Sequence, residues 1–277
     1  MRDFVTFQKP ASLARLAPLA ALLLLAAGNA AASDDARAAI QAAADGEHRS
    51  ADNRARDEYR HPVETLTFFG LEPDMTVVEL WPGGGWYTEI LAPVLKDEGK
   101  LYAASWDPTL DSEYVQTNLA KYKEKIADRD VYGDIELTVL GRGKTDIAPP
   151  GSADLVVTFR NMHSWGDEFA AEVLAAAYEA LKPGGVLGVV QHRADPDSPP
   201  DPEERTGYFS EARAIELAEA AGFELAGSSD INANPKDTKD YESGVWALPP
   251  SLRDGAEPRF LEIGESDRFT LKFVKPE

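Results

Sequence analysis

The hydrophobic pattern is dominated by short, nearly continuous apolar runs separated by stretches with helical spacing. Met75 to Leu80, Leu101 to Ala104, Ile135 to Leu140, Asp154 to Phe159 and Val186 to Gln191 are such runs. Each reads as a strand, and the Leu-Val-Val-Thr-Phe run of the fourth is typical of a strand buried on both faces. Between them, Trp86 to Leu95 places Ile90, Leu91, Val94 and Leu95 on one helical face, with Pro93 as a kink point. Asp111 to Ala127 is a second predicted helix. Phe169, Val173, Leu174, Ala177 and Leu181 mark a third, closed by Lys182-Pro183-Gly184-Gly185. Ser210 is placed to cap a helix reaching Ala221, and Gly222 ends it before a strand from Phe223 to Ala226. Phe269 to Val274 alternates as a last strand. Strands alternating with helices imply a mainly parallel sheet with right-handed crossovers.

Upstream of the first strand the pattern is helical from Ser33 to Gly70. Ser33-Asp34-Asp35 is a capping sequence, an alanine-rich stretch follows, and residues 52–60 are densely charged. Arg54, Arg56, Asp57, Arg60 and His61 stand immediately before Pro62, which opens a helix ending at Phe68-Phe69-Gly70. This charge run reads either as a solvated helix face or as a segment that closes over a ligand pocket. Asp195 to Pro202 is a proline-rich acidic loop, and residues 230–267 lack clear periodicity. No internal repeat beyond the strand and helix alternation is present. The chain therefore divides into residues 1–32, a helical cap over 33–70 and one α/β domain over 71–277.

Residues 1–32 resemble a secretory signal peptide. Arg2, Lys9 and Arg15 precede an apolar stretch from Leu16 to Ala27, and Ala30-Ala31-Ala32 is a small-residue cleavage site. A membrane-spanning helix needs roughly 20 apolar residues, so removal is favoured over anchoring. Loss of Arg2, Lys9, Arg15 and Asp3 takes the net charge from −20 to −22. The expected product is a bacterial periplasmic or secreted protein without a stable membrane anchor. Its acidic field disfavours a broad nucleic-acid surface. The absence of cysteine excludes disulfides, thiolate metal ligands, a cysteine nucleophile and a lipidated N-terminus.

The segment with the most chemistry runs from Val77 to Thr88, in which Val-Val-Glu-Leu-Trp-Pro leads into Gly83, Gly84 and Gly85. Glycines after a strand let backbone approach a ligand, and the helix that follows offers unpaired N–H groups. Three features in order resemble the class I S-adenosylmethionine-dependent methyltransferases. Val77-Val78-Glu79-Leu80 before Gly83 and Gly85 is similar to that family's first motif. Leu181-Lys182-Pro183-Gly184-Gly185 before a strand is similar to another, and Ala221-Gly222-Phe223 ends the last helix. The resemblance covers roughly Pro62 to Val274. Pro82-Gly83-Gly84-Gly85-Trp86-Tyr87-Thr88, the Arg160-Asn161-Met162-His163 turn and the long C-terminal extension further resemble an exported subgroup of predicted methyltransferases.

The resemblance implies a Rossmann-like fold, with a mainly parallel seven-stranded sheet, an antiparallel last strand and helices on both faces. It also implies S-adenosylmethionine as cofactor, held by Glu79, Pro82, Gly83, Gly84, Gly85, Trp86, Tyr87 and Asp107. Two positions depart from the family pattern. Trp81 stands where glycine is usual, and Ser105 where an acidic residue usually closes the second strand to hold the ribose hydroxyls. Asp107, two residues later, is the candidate substitute. A dinucleotide fingerprint would instead require glycine at Thr88.

If the family's strand order holds, the fourth and fifth strands are adjacent. Arg160, Asn161 and His163 then meet Gln191, His192 and Arg193 at one edge of the pocket. Either histidine is a candidate general base for an acceptor attacking the sulfonium methyl. The arginines read as holders of an anionic substrate or as ordinary ion-pair partners. The expected acceptor is a small molecule of unidentified class. Two other readings stand beside this one: a periplasmic binding or interaction protein that keeps the fold without turnover, and a metal-assisted hydrolase using His163, His192 and His61. No histidine spacing typical of a metal site is present.

Overall fold

The structure is a computed structural model and describes residues 32–197 and 206–277. Residues 1–31 of the expected signal peptide and residues 198–202 of the acidic loop lie outside the described residues. In chain order, helices α1 (Asp34–Ala44), α2 (Ala51–Arg54), α3 (Asp57–Arg60) and α4 (Pro62–Phe69) precede β1 (Thr76–Leu80), α5 (Thr88–Leu95) and β2 (Lys100–Ser105). Next come α6 (Glu113–Lys125), α7 (Arg129–Tyr132), β3 (Ile135–Val139), β4 (Ala153–Phe159), α8 (Gly166–Ala180) and β5 (Leu181–His192). The chain closes with α9 (Glu211–Ala220), β6 (Glu224–Ser229), α10 (Pro258–Ile263) and β7 (Arg268–Val274).

The strands form a seven-stranded sheet in the order β3-β2-β1-β4-β5-β7-β6. β1 to β5 pair in parallel, and β7 runs antiparallel between β5 and β6. The strand order reverses between β1 and β4, so the ligand crevice of such a sheet lies beyond their carboxyl ends. Alternate residues serve opposite faces. Val78, Leu80, Val156 and Leu187 pack under α8 and α9, while Val77, Leu101, Leu155 and Val157 pack under α1, α4 and α5. The N-terminal helices thus share a core with the sheet.

Two local features tie the N-terminal segment to the α/β core. Phe69, buried in α4, lies over Gly188 of β5, where a Cβ would sit 2.6 Å from the phenyl ring. Glycine is what lets the helix dock this closely, and burial of the ring contributes roughly 2 kcal/mol. Pro93 in α5 has no N–H to give the carbonyl of Glu89, four residues back. That carbonyl instead accepts a hydrogen bond from His48 Nε2 at 2.7 Å. The kink point predicted from sequence is therefore an anchor for the segment between α1 and α2.

Some element limits differ from the sequence pattern. β5 begins at Leu181, so the Lys182-Pro183-Gly184-Gly185 stretch runs inside the strand, with a register shift opposite Ala153 and Leu155. The helix expected from Trp86 starts at Thr88, because the glycine turn extends through Tyr87. Residues 52–60 form two one-turn helices, and His61 ends them in the left-handed region at φ 41°. Among the described residues, no helix is long and apolar enough to cross a membrane.

Candidate functional site

The glycine loop leaves β1 at the switch point. Gly83 and Gly85 have φ of 59° and 77°, a conformation glycine adopts without steric cost. A Cβ at Gly83 or Gly84 would meet nothing within 4 Å, so this part of the loop presents open backbone. Lys125 holds it from α6, donating to the Gly84 carbonyl at 2.7 Å and to Glu89 Oε1 at 2.5 Å. Glu89 is buried, and it also accepts from Asn53 and pairs with Arg49.

Glu79 lies beneath the loop, 2% exposed. It accepts a 2.5 Å hydrogen bond from Thr88 Oγ1, which is 3.1 Å from Tyr122 Oη. Burial pushes the Glu79 carboxyl up to about 7, against the opposing effects of Thr88 and Lys125. Its place is structural support for the turn into α5. Trp86 and Tyr87 also face inward. Trp86 lies between the guanidinium groups of Arg49 and Arg60, 4.9 and 4.7 Å from its ring centroid, and Tyr87 stacks on Phe159. Pro82 accepts the Gly85 N–H through its carbonyl and closes the turn.

Asp107 lies just beyond β2 and is already engaged. Lys144 Nζ donates to Oδ2 at 2.6 Å, and the Thr109 N–H and hydroxyl donate to Oδ1 at 2.9 and 2.7 Å. The lysine hydrogen bond is the largest cause holding this carboxyl down at about 2. Ser105 is buried. Trp81 adopts φ 45°, the region where a glycine would be unstrained. Its indole N–H donates to the Leu140 carbonyl at 3.0 Å, and the ring packs among Trp106, Trp165 and Phe169. Asn161 Nδ2 donates to the carbonyls of Leu80 and Trp81 at 3.0 and 3.3 Å, directly over the switch point. A cavity of about 540 Å³ lined in part by Pro73, Val94 and Glu98 lies near the starts of β1 and β2, away from this edge.

The fourth and fifth strands are neighbours, and the two histidines meet with ring centroids 5.6 Å apart. Their roles differ. Gln191 Oε1 accepts from the Met162 N–H, and its Nε2 donates to the Gly207 carbonyl, which fixes the amide orientation. Gln191 Nε2 therefore donates to His163 Nδ1 at 3.1 Å, and neutral His163 carries its proton on Nε2. Burial pushes His163 down to about 4. The expectation that His163 is a ready general base meets an obstacle here: its lone pair is already bonded. His192 Nδ1 is 2.5 Å from Ser266 Oγ; in the tautomer whose Nδ1–H donates to that hydroxyl, Nε2 carries the lone pair that takes a proton. Burial, followed by the charges of His163, Arg160 and Arg268, holds His192 well below 6.5.

The arginines also divide. Arg193 pairs with Glu211, Asp230 and Asp267, the ordinary ion-pair outcome. Arg160, at φ 64° immediately after β4, donates no side-chain hydrogen bond and closes no ion pair among the described residues. Burial lowers its pKa to about 10. Sequence reasoning did not find Lys125, Lys144, Arg268, Glu265 or Ser266, because none stands in a motif.

No family model and no curated protein matches the chain. Solved structures do. A SAM-dependent methyltransferase from Aquifex aeolicus aligns at TM-score 0.54 and 18% identity, over 86% of this chain and 98% of that one. The fold is that of the class I methyltransferases. An arsenic(III) S-adenosylmethionine methyltransferase from Chlamydomonas reinhardtii aligns at TM-score 0.51 and 16% identity, over 86% and 73% of the two chains. The PH0226 protein of Pyrococcus horikoshii aligns at 0.52 and 15%, over 83% and 94%.

Against this methyltransferase fold, the donor set suits S-adenosylmethionine at two points. Open glycine backbone lies at the switch, and a carboxylate lies one turn beyond β2 with partners it can exchange at the surface. At this edge Lys144 engages Asp107, and Asn161 engages the carbonyls of Leu80 and Trp81.

Proposed function

We propose that the protein transfers a methyl group from S-adenosylmethionine to a small acceptor bound beyond β4 and β5. The observation that carries this reading is the open, left-handed glycine turn at the switch point, clamped by Lys125 and supported from beneath by Glu79. S-adenosylmethionine supplies a methyl group already activated by its sulfonium. The chain's own residues have three tasks. Gly83 and Gly84 let backbone approach the cofactor, Asp107 accepts its ribose hydroxyls, and His192 Nε2 takes the acceptor's proton. His163 acts as a neutral Nε2–H donor beside it.

His192 is a weak base in the free protein, chiefly because it is buried, with His163, Arg160 and Arg268 adding to the effect. A negatively charged acceptor would offset those charges and raise its basicity. This supports His192 as a base that strengthens when substrate is present. The histidine role is checked by His192→Gln, which lowers kcat with little change in S-adenosylmethionine affinity.

A second reading, a binding protein without turnover on the same scaffold, is favoured by one observation. Trp81 and Asn161 occupy the crevice wall and the switch-point carbonyls. The two readings separate on calorimetric titration with S-adenosylmethionine and S-adenosylhomocysteine. Binding in the micromolar range supports transfer, whereas no binding at millimolar ligand supports the second. Export through residues 1–32 belongs to the same proposal. N-terminal sequencing of the mature protein tests it, with Ser33 as the expected first residue.

A further inference from the structure

Beside the histidines, the structure gathers more positive charge than it neutralises. Glu265, 4% exposed, accepts from Arg56 Nε at 2.6 Å, from Arg60 Nε at 2.9 and 3.2 Å, and from Arg268 Nη1 at 3.1 Å. One carboxylate cannot balance three guanidinium groups. Arg160 lies in the same field and adds a fourth, without an ion pair of its own among the described residues. Arg60 is 1% exposed, and its Nη1 and Nη2 are buried with no hydrogen-bond partner. Stacking on Trp86 supports the face of that guanidinium and leaves those in-plane donors unmet.

Buried donors without partners, in an excess of like charge, cost stability unless something pairs with them. A chain of net charge −20 has carboxylates in abundance, yet among the described residues only Glu265 pairs with Arg56, Arg60 and Arg268. Arg56, with a side chain 22% exposed, and half-buried Arg160 are the members of the cluster that reach solvent. Arg160 follows β4 directly, and Arg268 pairs in register with His192 at the end of β5. The cluster therefore stands where an acceptor would lie in a methyltransferase fold.

We propose that Arg160, Arg60, Arg56 and Arg268 form a binding site for an oxyanion, a carboxylate or phosphate group carried by the substrate. Guanidinium groups suit such ligands, offering paired donors in a fixed fork. The role of the anion as methyl acceptor rests on the methyltransferase reading. The binding itself does not, and it is measured without cofactor.

The test is thermal denaturation and calorimetric titration of the full chain with inorganic phosphate and with succinate, each at ionic strength held constant with chloride. Arg160→Gln is the variant of choice, because it removes charge without breaking a described hydrogen bond. The expected result is that one or both anions raise the Tm of the wild type beyond the chloride control. Arg160→Gln should weaken this binding at least about tenfold, with an unliganded Tm unchanged or higher. Whether phosphate or succinate binds tighter separates the two sources of the oxyanion. Equal responses to each anion and chloride, or equal responses of wild type and variant, would overturn the proposal. So would loss of S-adenosylmethionine binding in Arg160→Gln, which would assign the arginines to the cofactor's own carboxylate. Loss of S-adenosylmethionine binding in the wild type, with anion binding intact, would overturn the methyltransferase reading and leave the anion site standing.

Discussion

The two halves of the carboxyl edge are built on opposite principles. On the side of β1, β2 and β3, polar groups are paired with protein partners: Asp107 with Lys144 and Thr109, the Trp81 indole with Leu140, and the switch-point carbonyls with Asn161. On the side of β4 and β5, three arginines share one buried glutamate, Arg160 closes no ion pair among the described residues, and Arg60 keeps two unpaired nitrogens. The first side is satisfied and must give up contacts to bind. The second is unsatisfied and gains contacts by binding. An open glycine loop thus coexists with side chains already paired around it, while the other side carries the clearer demand for a ligand.

The largest expected effect comes from the loop. Gly83→Val puts a β-branched residue at φ 59°, a conformation essentially closed to it. It should reduce S-adenosylmethionine binding by more than about 100-fold (~3 kcal/mol), while phosphate binding at the arginines persists. Loss of both ligands together would break the distinction between the two sides.

Glu79 tests whether the loop is supported by a buried acid. Its carboxyl has an ordinary value of 4.5 and is raised to about 7 in the fold. The unfolded chain therefore ionises first, so this group's contribution to stability is full below about 4.5 and falls as pH rises to about 7. Glu79→Gln should abolish that fall and stabilise the protein at pH 8 by up to roughly 3 kcal/mol relative to wild type. Parallel Tm profiles of the two proteins from pH 5 to 8 would contradict this.

Trp81 sharpens the comparison more gently. Trp81→Gly relieves a left-handed tryptophan and opens the crevice wall, so S-adenosylmethionine should bind about tenfold tighter (~1.4 kcal/mol). Stability should fall by roughly 1–3 kcal/mol, because the ring leaves its contacts with Trp165 and Phe169. Calorimetry and denaturant unfolding read the two changes separately. The smallest effect is expected from Lys144→Ala, which releases Asp107 from a surface pair and improves cofactor affinity severalfold at most.

Much of the frame was legible in sequence, for a physical reason. Val77-Val78 and Leu155-Val156-Val157 are buried on both faces, so their apolar runs are unbroken and mark strands of a covered parallel sheet. The strand order implied by the family resemblance placed His163 and His192 on adjacent strand ends, and the structure brings them together. Within residues 52–60 the charges divide: Asp52, Arg54 and Glu58 are exposed, while Arg56 and Arg60 reach Glu265.

What could not be read was held by distance along the chain. The contact from Arg60 to Glu265 joins positions 205 residues apart, and Glu265 lies in the segment without periodicity. Lys144 reaches Asp107 across 37 residues from the turn after β3. Neither pair leaves a local pattern, because the partners meet only after the sheet has formed. The bonded state of His163 was hidden for the same reason, since it depends on the Gln191 amide being fixed from both ends.

The most direct measurement compares the two sides in one experiment: calorimetric titration of S-adenosylmethionine into wild type, Asp107→Ala and Arg160→Gln. The account predicts micromolar binding to wild type, loss in Asp107→Ala and retention in Arg160→Gln. No binding to wild type, or loss in Arg160→Gln with retention in Asp107→Ala, would contradict it.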